Sequence, residues 1–445
     1  MTIKALHIGL DDTDSPRRGC TTYITALLVE KLQKLGARFI DYPNLIRLNP
    51  NVPWKTRGNG ALCLRIRYDE NREERIKETV ISEVQEQADL GYKGTDPGIV
   101  FFGKEKIPKE IKMFARKTIT GVVNLKDALK LVKKLRAEAV GFKRCRGIIG
   151  GLAAVGETLQ EDYTYEVLVY RTPENCGSKR RVDEPSIVKM DKSTAPYTFN
   201  NVDPEKRRVI ITPRGPDPIL FGVRGETPEV VRKAFEIVKP LEPVERWVIF
   251  RTNQGTDSHL ERVENLSQIE RYNPVIARGT VGANPKMIPR RHVIFPIEDE
   301  SASVDCAAYE PTGGLRKAAI KLVAGDYVEV YGGVRVSQEH PLTINLEKIR
   351  LLRLASTTVL RNPLCPECGK RLKSMGRDKG FRCERCGGRY AGVSKVEVRM
   401  QRDIKRGLYM TSPRSQRHLT KPLRRYGMEK KHMPVKELID VWHFP

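Results

Sequence analysis

Three carboxylates, Asp11, Asp12 and Asp14, stand within four positions of one another in the stretch GLDDTDSPRRGCTT, residues 9–22. Carboxylate oxygens are hard ligands suited to Mg²⁺. Thr13, Ser15, Gly19, Thr21 and Thr22 add hydroxyls and a glycine where a helix should begin, and the free N–H groups of a helix start attract an anion. Acids and helix start together suit a Mg²⁺-bound nucleoside triphosphate such as ATP. A simple cap at Asp14 or Thr21, with the other acids solvated, satisfies the same residues. The pattern G-x-x-x-x-G-K-[ST] is missing, which excludes a standard P-loop. A second chemical signal lies far downstream, where Cys365-x-x-Cys368 and Cys383-x-x-Cys386 are separated by 14 residues. Two such knuckles close tetrahedrally on Zn²⁺, and a disulfide pairing is the alternative in an oxidising compartment.

The acidic turn needs a strand before it and a helix after it. Lys4–Ile8 reads as a buried strand, and Tyr23–Leu35 carries apolar residues at helical spacing until Gly36. Strands are expected at 45–48, 61–67 and 99–102, with helices at 72–88 and 124–140. Between them lie the polar stretches RLNPNVPWKTRGNG from Arg47 and GTDPG from Gly94, read either as binding loops or as surface turns. Lys55, Arg57 and Asn59 in the first are candidate phosphate or cytidine contacts.

A second unit should begin near Gly141 with a tight helix at 147–156, then strands at 163–171, 207–212 and 219–224 and a helix at 228–238. That order resembles a ferredoxin-like, split βαβ plan. The polar, proline-containing stretch 172–205 is either a functional insertion or a disordered loop. Strand-like runs at 247–251, 275–281, 293–296, 303–309 and 327–330, with a helix at 315–322, suggest an OB-fold barrel. Arg278, Lys286, Arg290 and Arg291 would give it a charged, nucleic-acid-binding face.

The formal charge of +25 is uneven: residues 361–436 hold 22 Lys and Arg against 6 Asp and Glu, or +16. Such a tail points to a polyanion. No apolar helix or lipidation signal adjoins it, which favours nucleic acid over a membrane surface. No signal sequence or bilayer-length apolar run is found, so a soluble, cytoplasmic protein is expected.

The turn DDTDSPRRGCTTY, the loops from Arg47 and Thr95, RGIIGGLAAVG from Arg146, TPRGPDPILFGVRG from Thr212, FRTNQGTDSHL from Phe250 and the paired knuckles occur in one order along the chain. In these the chain resembles the archaeal isoleucine-tRNA 2-agmatinylcytidine synthetase family, except beyond about Val396. The resemblance implies a multidomain α+β protein: a kinase-like α/β nucleotide-binding domain (1–138), a ferredoxin-like domain (139–240, with insertion 172–205), an OB-fold domain (244–356), a zinc ribbon (361–394) and a basic tail (395–445). It also implies an ATP-dependent ligase that joins agmatine to carbon 2 of the wobble cytidine of an isoleucine tRNA with a CAU anticodon. That reaction would proceed through phosphorylation of the cytosine oxygen, with RNA-kinase and autokinase activity and no obligate protein partner. Thr21 matches the family's autophosphorylated threonine. Asp217, then Asp162 and Asp203, are candidate carboxylates for the agmatine guanidinium, and Arg251 and Asn253 join the barrel arginines as candidate tRNA contacts. Two rivals remain: an RNA-binding adaptor whose acids are structural, and a tRNA thiolase or lysidine-forming enzyme, whose S-G-G-x-D-S loop is missing here.

Overall fold

The computed structural model describes residues 2–56, 58–336, 342–430 and 437–444; candidate Arg57 lies outside them. The acidic turn is carried as expected, by the strand Ile3–Asp11 and the helix Thr21–Lys34. Leu6, Ile8 and Leu10 pair in register with Ile66, Leu64 and Leu62 of the antiparallel strand Gly60–Asp69. Both faces of this pair are buried, which is why the strands read as nearly continuous apolar runs rather than alternating ones.

One sheet of eleven strands forms the body. Its path runs Glu138–Gly141, Gly98–Phe102, Ile3–Asp11, Gly60–Asp69, Asn44–Arg47, Val244–Thr252, Thr164–Arg171, Ile219–Gly225, Thr198–Phe199. Neighbours along this path are antiparallel except at one seam, where Arg251 and Thr252 pair in parallel with Asn44 and Leu45. The run at 247–251, expected to open the barrel, is therefore a central strand of the body, because its apolar residues are buried between Thr164–Arg171 and the seam. The glycine-rich helix Gly147–Gly156, expected in the second unit, packs on strands of the first. A side chain at Gly9 would collide with the Gly151 carbonyl, and one at Gly98 with the Ile148 amide, so backbone meets backbone there.

One other expectation changes, one helix is additional, and one open alternative is decided. The helix expected to reach residue 140 stops at Leu135, where Arg136 turns left-handed (φ 56°), and Glu138–Gly141 becomes an edge strand. The helix Lys109–Thr120 was not foreseen. The stretch 172–205 is ordered: Asp183 caps the helix Glu184–Thr194 by accepting from the Ser186 amide.

The second core is a closed barrel of Pro274–Val281, Tyr327–Arg335, Thr343–Arg353, Ser303–Ala308 and His292–Glu298, closed by pairing of Thr280 with Glu298. The helix Gly314–Ala319 precedes its last two strands. The fold is thus multidomain α+β, with a separate small core around Cys365, Leu372, Phe381 and Cys383. No helix among the described residues is long and apolar enough to cross a membrane.

The basic tail folds back. Gly407–Met410 extends the barrel beside Thr343–Arg353, and His443–Phe444 pairs with Val244–Thr252 of the body. Between them Arg414 meets Asp203 and Glu205, Arg424 meets Asp191, and Lys421 meets Asp162 and Glu429. Arg425, 1% exposed, is held by Asp162 and Glu226. Part of the charge that suggested a polyanion is spent on carboxylates of the body and barrel, so this segment is a clasp between them.

Candidate active site

A cavity of about 460 Å³ opens over the sheet seam. Asp11, Asp12, Asp14, Cys20, Thr21 and Thr22 form one wall, with Arg146, Ile149 and Gly150 from the first turns of the glycine-rich helix. Two helix N-termini therefore end at one acidic turn, and their positive dipole ends offset its charge. A side chain at Gly150 would overlap the Asp11 carboxylate, which explains glycine there.

The turn is braced from behind. Ser15 Oγ donates to Asp89 at 2.6 Å and accepts from the amides of Arg17 and Arg18, and Thr95 Oγ1 donates to the Asp14 carbonyl at 2.8 Å. Thr13 and Ser15 are fully buried, so they hold the turn and are not open to a ligand. Gly19 (φ 82°) passes against the Thr13 carbonyl. Asp12 itself is left-handed (φ 61°), a strained state for a non-glycine residue that often marks functional positions. Cys20, extended and without a side-chain cap, precedes the helix, so Thr21 is its first residue and not its cap. The Thr21 hydroxyl lies 2.9 Å from that of Thr13.

Charge is crowded in the cavity. Burial, then the Asp12 charge, push the Asp11 carboxyl well above its usual range. Burial raises Asp12 to about 6, against the opposing pull of Arg146. Arg47, Lys55, Arg224 and His418 line the same cavity. Burial lowers Arg47 to about 10, and its Nε has no hydrogen-bond partner among the described residues. His418, from the clasp, is held well below its ordinary value by burial and the charges of Arg47 and Arg224. Arg224 Nε donates to Glu166 Oε1 at 2.9 Å, and Gln254 bonds the other oxygen. A cavity lined by both carboxylates and cations suits a metal-bound polyphosphate. Among the described residues the oxygens of Asp11, Asp12 and Asp14 do not draw together as a three-ligand group, but Mg²⁺ commonly needs only one or two protein carboxylates beside substrate phosphates, and the acidic turn offers those.

The remaining candidates divide. Lys55, Asn59 and Asp217 line the cavity, Asp217 facing Arg180 at 3.2 Å. Asp162 and Asp203 do not line it; Arg425 and Arg414 take their carboxylates. Arg251 is 2% exposed and bonded to Asp41, and Asn253 bridges the Arg47 backbone, so both brace the seam and neither presents an RNA surface. Arg278 remains on the barrel exterior beside Glu329, and Arg290 and Arg291 are exposed on the turn before His292–Glu298. Arg47, Arg146, Glu166, Arg224 and His418 were not foreseen as site residues. Glu166 had a signal, a lone carboxylate within the buried strand TYEVLVYR; His418 had none.

In the ribbon, ligand atoms of Cys365, Cys368, Cys383 and Cys386 lie within 4.8 Å of one another. The Cys365–Cys386 and Cys368–Cys383 sulfurs are 3.5 and 3.4 Å apart, close to the edge of about 3.8 Å of a Zn–S tetrahedron. Four thiols with these separations fit Zn²⁺.

A barrel of the OB type, a four-cysteine ribbon and a nucleotide-sized cavity lined by acids and cations define a nucleic-acid-binding protein with an enzyme-like site. Family models agree: an OB-fold nucleic acid binding domain matches residues 275–352, the TiaS TCKD domain 7–144, the TiaS FLD domain 145–259 and the TiaS C-terminal zinc ribbon domain 362–404. The chain belongs to the TiaS family. It is 42% identical over 424 residues to the isoleucine-tRNA 2-agmatinylcytidine synthetase TiaS of Methanocaldococcus jannaschii, covering 94% of this chain and 98% of that one. With the Pyrococcus horikoshii protein of the same name it shares 44% over 418 residues, 94% and 96% of the two chains. Among solved structures, it resembles the complex of TiaS with its isoleucine tRNA and ATP (TM-score 0.85, 41% identity, 94% and 97% covered). The complex of TiaS with the same tRNA, AMPCPP and agmatine also matches (TM-score 0.83, 38% identity, 94% and 97% covered).

Proposed function

We propose that this chain joins agmatine to carbon 2 of the wobble cytidine of an isoleucine tRNA with a CAU anticodon, using ATP and forming 2-agmatinylcytidine. The observation that carries this reading is the single cavity in which the acidic turn, two helix starts, a set of cations and Asp217 meet, in a chain whose relatives bear that activity in their names over nearly their full length.

The chemistry asks for two displacements. The oxygen on C2 of cytosine is a poor leaving group, so it first takes the terminal phosphoryl group: the bond from that phosphorus to its bridging oxygen breaks, and one to the cytosine oxygen forms. The amine of agmatine then attacks C2, the C2–O bond breaks with its electrons leaving on phosphate, and the amine gives up its proton to solvent. Asp11, Asp12 and Asp14 would hold Mg²⁺, which when bound neutralises polyphosphate charge. Arg47, Lys55 and the starts of the two helices hold the phosphate oxygens, with Asn59 beside them. Thr21, at one of those helix starts, is the residue an autokinase step would modify. Asp217 is the carboxylate for the guanidinium, because it lines the cavity while Asp162 and Asp203 lie outside it. The body then divides into a kinase-like unit bearing the acidic turn and a ferredoxin-like unit. The strand and helix order 164–171, 184–194, 219–225, 228–237, 244–252 supports the second. Arg278, Arg290 and Arg291 give the barrel its tRNA face.

The test is mass spectrometry of the wobble nucleoside after incubation of the tRNA with the protein, ATP and either agmatine or lysine. An agmatine increment, lost in Asp12→Ala while tRNA binding survives, is expected. A lysine increment, or none, refutes the assignment.

A further inference from the structure

Trp54 is the one tryptophan of three that is open: it is 49% exposed, against 4% for Trp247 and 5% for Trp442. Leaving so large an apolar ring half in water forgoes burial that other tryptophans of this chain obtain. The ring is nevertheless held in place. The Arg146 guanidinium sits 5.3 Å from its centroid, a cation–π contact, and the Tyr272 ring meets it edge-on at 6.5 Å and 66°. Its loop is stitched from beneath: Asn49 Nδ2 donates to the carbonyls of Gly121 and Tyr272, and Asn59 Nδ2 donates to the Asn49 carbonyl. Tyr272 in turn donates its amide to Val334 of the barrel.

Trp54 thus lines the cavity that holds the acidic turn while being tied to the start of the barrel. A base that is to react must leave its stack and enter this cavity, and an aromatic face is the usual replacement for the lost neighbours. We propose that Trp54 is the stacking platform for the RNA pyrimidine that undergoes reaction, an inference that rests on the function proposed above. Adenine of the nucleotide is the other flat heterocycle at hand. The RNA base is favoured because Trp54 is fixed through Tyr272 to the barrel, which matches a nucleic acid binding domain; Lys55 beside it and the Arg146 helix start beneath it serve the phosphates, and the ATP arm of the experiment separates the two occupants.

The experiment reads binding without turnover. Tryptophan fluorescence of the full-length protein is followed on adding ATP alone, the CAU tRNA alone, and the same tRNA abasic at the wobble position. Quenching by the intact tRNA is expected, absent with the abasic tRNA and in Trp54→Phe, whose ring still stacks but does not report. Trp54→Ala should weaken tRNA binding roughly tenfold to a hundredfold, the range for loss of one base–aromatic stack, with Trp54→Phe retaining most of the affinity. Quenching by ATP and not by tRNA, equal quenching by abasic and intact tRNA, or unchanged affinity in Trp54→Ala each overturns the proposal. No agmatine or ATP turnover enters these readings, so they fail separately from the reaction assigned above.

Discussion

Replacing Arg425 with alanine should release the C-terminal clasp. Its guanidinium, 1% exposed, donates from Nε to Glu226 (2.6 Å), from Nη1 and Nη2 to Asp162 (3.0 and 2.9 Å) and from Nη1 to the Gly255 carbonyl (2.6 Å). Removing one partner of a buried ion pair strands the other and costs about 3–5 kcal/mol. Here two carboxylates are stranded, but Lys430 stays 2.7 Å from Glu226 and Lys421 3.7 Å from Asp162, so the lower end, about 3 kcal/mol, applies. At 1.36 kcal/mol per decade this is an increase of roughly a hundredfold in the open population of the clasp. Limited proteolysis in the regime where cleavage follows that population should then cut the segment after Met410 about a hundred times faster, while body and barrel fragments persist. Arg425→Ala combined with Asp162→Asn and Glu226→Gln should recover much of the loss. Wild-type protease resistance in Arg425→Ala, together with weakened tRNA binding, would refute the argument and make Arg425 an RNA contact.

The clasp should also loosen in acid. Hydrogen bonds from Lys317 and then Arg414 hold the Glu205 carboxyl down at about 2, below its ordinary 4.5. The unfastened chain therefore takes up the proton first, so the stability this group contributes is complete above about pH 4.5 and is lost as pH falls toward 2. Protease sensitivity of the segment should rise across that window, and Glu205→Gln should show the high sensitivity already at pH 6; a flat profile in the parent would contradict this. In the ribbon, Cys383→Ser with Cys386→Ser, or chelation of zinc, should unfold residues 362–404 and weaken tRNA binding tenfold or more. ATP binding should persist, since none of those residues lines the cavity. Normal tRNA affinity in a zinc-free double variant would remove the ribbon from RNA recognition.

The parts of this protein legible in the sequence are those whose chemistry is local. The acidic turn between a strand and a helix, the knuckles with their fixed spacing, and most of the barrel strands follow from periodicity within a dozen residues. What escaped depends on partners far away in the chain. Nothing in the apolar run at 247–251 says that its neighbour is Asn44–Leu45 and not the barrel that follows it. Arg251 and Arg425 carry the residue type of an RNA contact, and only the fold shows them closed on Asp41, Asp162 and Glu226. Within the site, Asp217 shared the same carboxylate chemistry with Asp162 and Asp203. Each of the three meets an arginine in the folded chain, and they differ in that Asp217 lines the cavity while Asp162 and Asp203 do not.

His418 has a consequence for the order in which the molecule becomes competent. It reaches the cavity from a segment that pairs by backbone with the loop after Val244–Thr252, the Gly255 amide donating to the His418 carbonyl and the Asp257 amide to that of Leu419. The acidic turn and His418 lie far apart in the chain, so synthesis reaches the turn long before this lining residue. The strands of the body other than His443–Phe444 precede it as well, and can pair before this side chain joins the cavity. A chain broken off before residue 418 would keep the acidic turn, both helix starts, Arg47 and Lys55, and would lose from the cavity the imidazole that Arg224 and Gln254 meet.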